Sequence, residues 1–121
     1  MIERITGPGV GVLGVRMSGR LAHDDYERLD RLIDAERPEG GRINLVCEVE
    51  GFEGWTVRAA FDDAELGLVR APREVRRLAV VTDSDWIRRA VELFAPLTPY
   101  AMRAFAFEER EAAWAWAATP A

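Results

Sequence analysis

The amino-acid sequence predicts one α/β domain built around a single mixed β-sheet. Three observations support this fold class: the chain has 121 residues, short apolar segments alternate with amphipathic ones, and no Pro-, Gly- or Ser-rich linker divides it. A chain of this length forms one domain, and alternating strands and helices pair into parallel sheets through right-handed crossovers. We therefore expect residues 1–121 to fold as one domain of about five strands and about four helices.

An N-terminal antiparallel hairpin precedes the expected parallel strands. A short strand is expected from Ile2 to Thr6, closed by Gly7-Pro8-Gly9, a turn signal. The apolar run from Val10 to Met17 predicts the second strand of the hairpin. The residues that follow lead into the first helix, which is expected from about His23 to Arg37.

Three strand–helix pairs follow the first helix. Further strands are expected where short apolar runs occur, at 43–49, 78–82 and 102–107. A helix is expected after each of them, at 56–70, from residue 83 or 84, and at 108–118. The helix at 56–70 has an acidic side and an apolar side, so we expect the first to be solvated and the second to be packed. The acidic residues are Asp62, Asp63 and Glu65, and the apolar ones are Val57, Ala60, Phe61, Ala64 and Leu68.

The charge composition argues against nucleic acid as a partner. All 16 basic residues are arginine, 21 residues are acidic, and the net charge is −5, so the overall field would repel a polyanion. The single cysteine excludes an intramolecular disulfide. The chain shows no signal-peptide pattern and no apolar stretch of about 20 residues, the length of a membrane span. We therefore expect a cytoplasmic protein with no membrane span.

Three features that often carry chemistry have simpler structural interpretations here. The segment Gly9–Gly14 matches the GxGxxG pattern of dinucleotide-binding turns, but a strand-like pattern follows it and the next helix starts too late to meet a pyrophosphate. His23, the only histidine, is expected to be a solvated residue of the first helical turn rather than a metal ligand or general base. Cys47 lies mid-strand and is expected to pack in the core. We therefore expect no catalytic residue, no metal site and no cofactor.

Aromatic residues supply the candidate binding surface. Trp55 follows Gly54 at the carboxyl end of a central strand, and open α/β sheets bind ligands at that edge. Phe52 and Trp55 therefore either line a pocket or plug the end of the sheet. Trp86 falls on the apolar side of its helix and is expected in the core.

The last helix predicts association of the chain. Trp114 and Trp116 are two residues apart on a helix, so their rings point in directions about 200° apart and cannot both face one core. The second ring is expected either at a subunit interface, where aromatic residues are enriched, or under the C-terminal segment 118–121. Small alanines around the rings favour close approach of a second subunit, and we expect a homodimer.

Four segments of the chain resemble motifs of bacterial SpoIIAA-like proteins of the STAS/SEC14 type. Residues 19–26 (GRLAHDDY) resemble the opening of that family's first helix, with Ala22 where Thr is usual. Residues 52–55 (FEGW) resemble its F-x-G-W segment, and residues 79–86 (AVVTDSDW) resemble its A-V-V-G-D-x-x-W segment, with Thr82 in place of Gly. Residues 105–114 resemble its closing F-x-x-x-E-x-A-x-x-W helix.

The resemblance implies a SpoIIAA/STAS-like fold and no established reaction. The family is close to the anti-sigma-factor antagonists and to the lobe of lipid-transfer proteins that holds an apolar ligand. Together with Phe52, Trp55 and Phe61, this favours a non-enzymatic module that binds an apolar small molecule or a lipid. The alternative is a protein–protein regulatory domain that acts like an anti-sigma-factor antagonist. Such antagonists carry a phosphorylated Ser where this chain has Thr56, which is therefore either a candidate phosphosite or an ordinary helix N-cap.

Overall fold

The computed structural model describes residues 1–119, and these contain one five-stranded sheet. The strands lie side by side in chain order: β1 (Ile2–Ile5), β2 (Val12–Leu21), β3 (Ile43–Trp55), β4 (Val75–Val81) and β5 (Ala101–Phe105). The first pair is antiparallel and the other three pairs are parallel. The mixed sheet with an N-terminal hairpin is therefore confirmed.

Helical segments follow the last four strands. They are α1 (His23–Glu36), α2 (Val57–Glu65), α3 (Ala71–Glu74), α4 (Asp85–Phe94) and α5 (Arg110–Ala117). A π-helical turn (Leu66–Arg70) joins α2 to α3 without a break, so four helical segments flank the sheet, as predicted. Short 3-10 turns follow α4 (Ala95–Leu97) and precede α5 (Phe107–Glu109).

The sheet carries a separate apolar cluster on each face. Because the strand order equals the chain order, right-handed crossovers place α1, α2 and α4 on the same face. The larger cluster contains buried residues of α1, α2 and α3 together with residues of all of the first four strands. The smaller cluster lies under α5 and contains Val46, Ala79, Val81, Phe105 and Trp114. Each helical layer is therefore held by its own core.

The glycine-rich segment near the N-terminus makes room for an indole ring. A Cβ atom at Gly14 would lie 2.2 Å from Cη2 of Trp114, and one at Gly7 would lie 2.5 Å from its Cδ2 atom. Trp114 packs over these glycines and is only 2% exposed. The expectation that Gly14 belongs to a strand and not to a nucleotide-binding loop is confirmed, and close packing explains why the position has no side chain.

Two strands run further than the sequence indicates. β2 continues to Leu21 and β3 continues to Trp55, and these two residues are partners in the pairing. Register shifts on either side of Gly19 interrupt the ladder, so the extension is bulged. Because bulges break the regular alternation of apolar and polar residues, the periodicity marks only the regular part of each strand.

The α2 helix is oriented opposite to the expectation. Val57 and Phe61 are 78% and 73% exposed, whereas Ala59 is fully buried. Asp62 and Asp63, expected in solvent, face α1 and are bonded to its side chains. The prediction of a packed apolar face is therefore wrong, because these carboxylates find hydrogen-bond partners on the inner side.

Tryptophans on both faces are also placed differently from the expectation. Trp86, expected in the core, is 56% exposed. Trp116 is half-buried, with its ring 6.0 Å from that of Phe105 and the Arg77 guanidinium 5.1 Å from its centre. Both C-terminal indoles thus have partners in their own chain. Pro120 and Ala121, the end of the segment expected to cover a ring, lie outside the described residues.

We expect Gly14→Ala to destabilise the fold by about 1–3 kcal/mol, the usual effect of overpacking. The new Cβ would meet the Trp114 ring at 2.2 Å and the carbonyl oxygen of Ile5 at 2.9 Å, so the backbone must shift. Urea unfolding gives the free energy. Gly67→Ala is the control, since the nearest atom to its Cβ would be 3.9 Å away. Equal stability of Gly14→Ala and the parent would contradict the packing of Trp114.

Candidate functional site

Three aromatic side chains form a contiguous group at the carboxyl ends of β3 and β4, which we call the aromatic cluster: Phe52, Trp55 and Trp86. The Phe52 and Trp55 rings meet edge to face, with centroids 4.7 Å apart. Trp86, in the first turn of α4, lies 6.0 Å from Phe52 and 6.4 Å from Trp55. Phe52 and Trp55 are half-buried while Trp86 is mostly exposed, so the cluster presents an open apolar surface.

Two glycines in β3 determine the direction in which the Phe52 and Trp55 side chains point. Gly51 and Gly54 have φ angles of 60° and 102°, in the region that side chains other than glycine rarely adopt. The pairing with β2 skips Gly51, since Glu50 lies opposite Ser18 and Phe52 lies opposite Gly19. A bulge of this kind bends the strand and redirects the following side chain. The FEGW segment therefore places both aromatic rings at the sheet edge.

A chain of hydrogen bonds fixes the indole of Trp55. Its Nε1–H donates to the hydroxyl oxygen of Tyr26 at 2.7 Å, and Tyr26 donates to Oδ1 of Asp63 at 2.7 Å. Burial, and then the Asp63 carboxylate, raise the pKa of Tyr26, so the phenol stays protonated and acts as a donor. Burial also raises the pKa of Asp63 above its ordinary value. These hydrogen bonds link α1, α2 and the end of β3.

The same helices enclose a small polar cleft of about 50 Å³. His23 lies between two carboxylates, with Nδ1 2.6 Å from Asp62 and Nε2 3.3 Å from Glu27. Its expected role as a solvated first-turn residue is thus incomplete, because it connects α1 to α2. Among residues 1–119, no three His, Cys, Asp or Glu side chains are grouped so that they could hold a metal ion.

A second network lies on the opposite face of the sheet. Glu48 is 2% exposed, accepts from Trp114 Nε1 at 3.3 Å and pairs with Arg110 Nε at 3.0 Å. Arg16 approaches the same carboxylate at 3.5 Å. These residues border an open groove of about 590 Å³ beside the N-terminal hairpin. The sequence signal for this site is an acidic residue inside an otherwise apolar strand.

The expected site residues are only partly brought together. Phe52 and Trp55 are neighbours, whereas Phe61 points outward from α2 and takes part in none of the aromatic pairs described for residues 1–119. Thr56 is the N-cap of α2, and its Oγ1 accepts from the backbone N–H of Ala59 at 3.2 Å. The sequence missed Trp86 as a surface residue, because its helical spacing is that of a core position.

The chemistry available at the aromatic cluster is apolar. The one polar atom of Trp55 is already bonded to Tyr26, so the rings offer flat apolar surfaces and edges. Cys47 is buried beneath this region, and burial raises the pKa of its thiol to about 12, which leaves it unreactive. The expectation that Cys47 packs in the core is confirmed. Within the described part of the chain, no helix is long and apolar enough to cross a membrane.

Asp63→Asn is expected to change how stability depends on pH. The amide keeps an acceptor for Tyr26 but removes a buried charge. Because the folded-state pKa of Asp63 is raised above 3.8, its contribution to stability is complete below that pH and is lost as pH rises through the folded-state value. The variant should therefore gain stability relative to the parent as pH rises above 3.8, measured by urea unfolding. Asp24→Asn, an exposed change on α1, is the control; parallel curves for Asp63→Asn and the parent would refute the effect.

Comparisons with known proteins agree with this geometry. The family model described as SpoIIAA-like matches residues 12–118. The crystal structure of an uncharacterized protein of the DUF3478 family from Shewanella loihica PV-4, with a SpoIIAA-like fold, superposes with a TM-score of 0.77. That superposition has 24% sequence identity and covers 96% of this chain and 91% of the other. No curated protein matches the chain significantly. Because the family model spans nearly all of its 121 residues, the chain belongs to the SpoIIAA-like family.

Proposed function

We propose that this chain is a non-enzymatic binding module that takes a small apolar or amphipathic ligand, such as a lipid, at the aromatic cluster. The observation that carries the proposal is Trp86: a large ring, 56% exposed, that extends the half-buried surface of Phe52 and Trp55. It lies at the carboxyl ends of parallel strands, where α/β sheets bind ligands. Exposed apolar patches of this kind mark binding sites.

The hydrogen bonding of the cluster favours an apolar ligand over a polar one. Trp55 Nε1 is bonded to Tyr26, so the ring has no free donor to orient a polar group. An apolar ligand that covers the flat aromatic rings gains binding free energy of about 25 cal/mol for each Å² of apolar surface removed from water. An acyl chain laid against Phe52 and Trp86 would use this surface, while its head group stays in solvent.

The polar side chains near the aromatic cluster bond to one another, which favours a binding module over an enzyme. Asp63 is engaged with Tyr26, and His23 is engaged with Asp62 and Glu27. General-base catalysis would need one of these groups within hydrogen-bond reach of a bound ligand, whereas the bonds described here run between α1 and α2. These carboxylates serve instead to hold α2 in place.

Quenching by a brominated fatty acid tests the ligand proposal. Bromine quenches indole fluorescence only near contact, so dibromostearate held below its micelle concentration should quench the parent protein in a saturable manner. Trp86→Phe and Trp55→Phe should each lose part of this quenching, and the double variant should lose most of it. Trp116→Phe, on the opposite face, should retain it. Absence of saturable quenching, or equal loss in Trp116→Phe, would exclude the aromatic cluster as the site.

A second candidate function is protein–protein regulation like that of an anti-sigma-factor antagonist, switched by phosphorylation of Thr56. The observation that favours it is the apolar side of α2, which begins directly after Thr56 and is exposed at Val57 and Phe61. A phosphate at a helix N-terminus is favoured by the helix dipole and lies beside this surface. The same hydroxyl already caps the helix, so its role as an ordinary N-cap is the competing explanation.

Mass spectrometry of the protein purified from its own host separates these explanations. A regulatory Thr56 should carry one phosphate, which Thr56→Ala abolishes, and Thr56→Glu should leave the fold intact. An ordinary cap predicts no phosphate and a loss of about 1 kcal/mol of stability in Thr56→Ala. Thr6→Ala, in the N-terminal turn, is the control. Unmodified Thr56 in protein from growing and starved cells would exclude the switch.

A further inference from the structure

The outward side of α2 and the π-helical turn after it carry an apolar row, here called the α2 stripe: Val57, Phe61 and Ala64 lie in α2, and Leu68 lies in the turn. Its members recur at i, i+4, i+7 and i+11, the a/d spacing of coiled coils. Val57, Phe61 and Leu68 are 78%, 73% and 77% exposed, and Ala64 is exposed as well. An apolar row of this length on a surface indicates an interaction site.

The inner side of α2 already packs against the rest of the chain. Ala59 is buried, Leu66 packs against the larger core, and Asp62 and Asp63 are bonded to α1. Rotating α2 to bury the stripe would break these bonds and leave the buried Tyr26 hydroxyl without its acceptor, which costs about 1–3 kcal/mol. The stripe can therefore be covered only by a partner from outside this fold.

The spacing of the stripe is symmetric about its middle. Its steps are four, three and four residues, so the row reads the same in both directions from the point between Phe61 and Ala64. Two antiparallel copies would place Phe61 opposite Ala64, and Val57 of one copy near the π-helical turn that carries Leu68 in the other. Large residues then meet small ones at the centre. A surface that complements itself in this way fits the two-fold symmetry of a homodimer.

Two charged residues beside the stripe specify the antiparallel orientation. Arg58 and Glu65 lie on the same flank, about two helical turns apart, and both are exposed. Neither takes part in any ion pair found within residues 1–119. In the antiparallel pairing, Arg58 of each copy lies within about 3 Å, along the helix axis, of the level of Glu65 of the other, which the long Arg side chain can span. In a parallel pair, each of them would meet the small residues of the other flank, and no such attraction forms. Ala60 and Gly67 on the other flank are small and permit close approach.

We propose that the α2 stripe docks against the α2 stripe of a second copy of this chain, antiparallel about a two-fold axis. This interface does not use the C-terminal helix, where Trp114 is buried and the half-buried Trp116 packs against Phe105. A seam of about three turns buries less than the roughly 1,600 Å² of a standard interface, so the dimer is expected to be reversible and dependent on concentration. The pairing is independent of whether the aromatic cluster binds a ligand.

Exchanging the charges of Arg58 and Glu65 tests both the dimer contact and its antiparallel orientation. Sedimentation velocity over a concentration series should show reversible dimerisation of the parent. Arg58→Glu and Glu65→Arg should each raise the dissociation constant about tenfold, because each replaces two attractions with two repulsions. The double variant should return to the value of the parent. An equimolar mixture of the two single variants should form a mixed dimer, in which every pair is attractive again.

Two further variants locate the interface. Phe61→Glu should leave only monomer at concentrations at which the parent is dimeric, with circular dichroism confirming that the exposed substitution preserves the fold. Leu93→Glu, an equally exposed apolar position on α4, should leave association unchanged. A monomeric parent at all concentrations would overturn the proposal. So would dissociation caused by Leu93→Glu, or failure of the double charge exchange to restore the dimer.

Discussion

Two adjacent carboxylates, Asp62 and Asp63, point from α2 toward α1, and each is bonded to one of its side chains. His23 meets Asp62 at 2.6 Å and Tyr26 donates to Asp63 at 2.7 Å. These bonds decide the rotation of α2 about its own axis. With the acidic side held inward, the apolar side is directed to solvent. The position of Trp55 depends on the same contacts, because its indole donates to the Tyr26 hydroxyl.

A carboxylate bonded to an aromatic donor stabilises each face of the sheet. On one face Asp63 accepts from Tyr26; on the other Glu48 accepts from Trp114 and is paired with Arg110. Burying a carboxylate is costly unless donors replace its water, and these donors come from helices that must pack correctly to reach it. Asp63 and Glu48 therefore restrict how the helices can pack on the sheet. They tie α2 and α5 to one arrangement on the sheet, whereas apolar contacts alone would allow several.

Much of the fold follows from local patterns, and most of the site does not. The alternation of strands and helices predicts the sheet, its parallel pairs and its four helical segments, because each depends on residues close together in the chain. The FEGW segment likewise predicts Phe52 and Trp55 at the sheet edge. Trp86 completes the aromatic cluster, yet its helical spacing indicates a core position. Periodicity cannot show that this ring packs against Phe52 and Trp55 and stays mostly exposed.

The sequence by itself determined the fold class, the family resemblance and the assignment of Gly14 to a strand. Only the tertiary structure decided which side of α2 faces the sheet. A helical pattern divides residues into two sides, but the side that is buried depends on what the partner element offers. Here the partners are His23 and Tyr26, which precede the aspartates they bind by 39 and 37 residues. Long-range polar contacts therefore decided which side of α2 faces inward, and the local hydrophobic pattern contains no information about these partners.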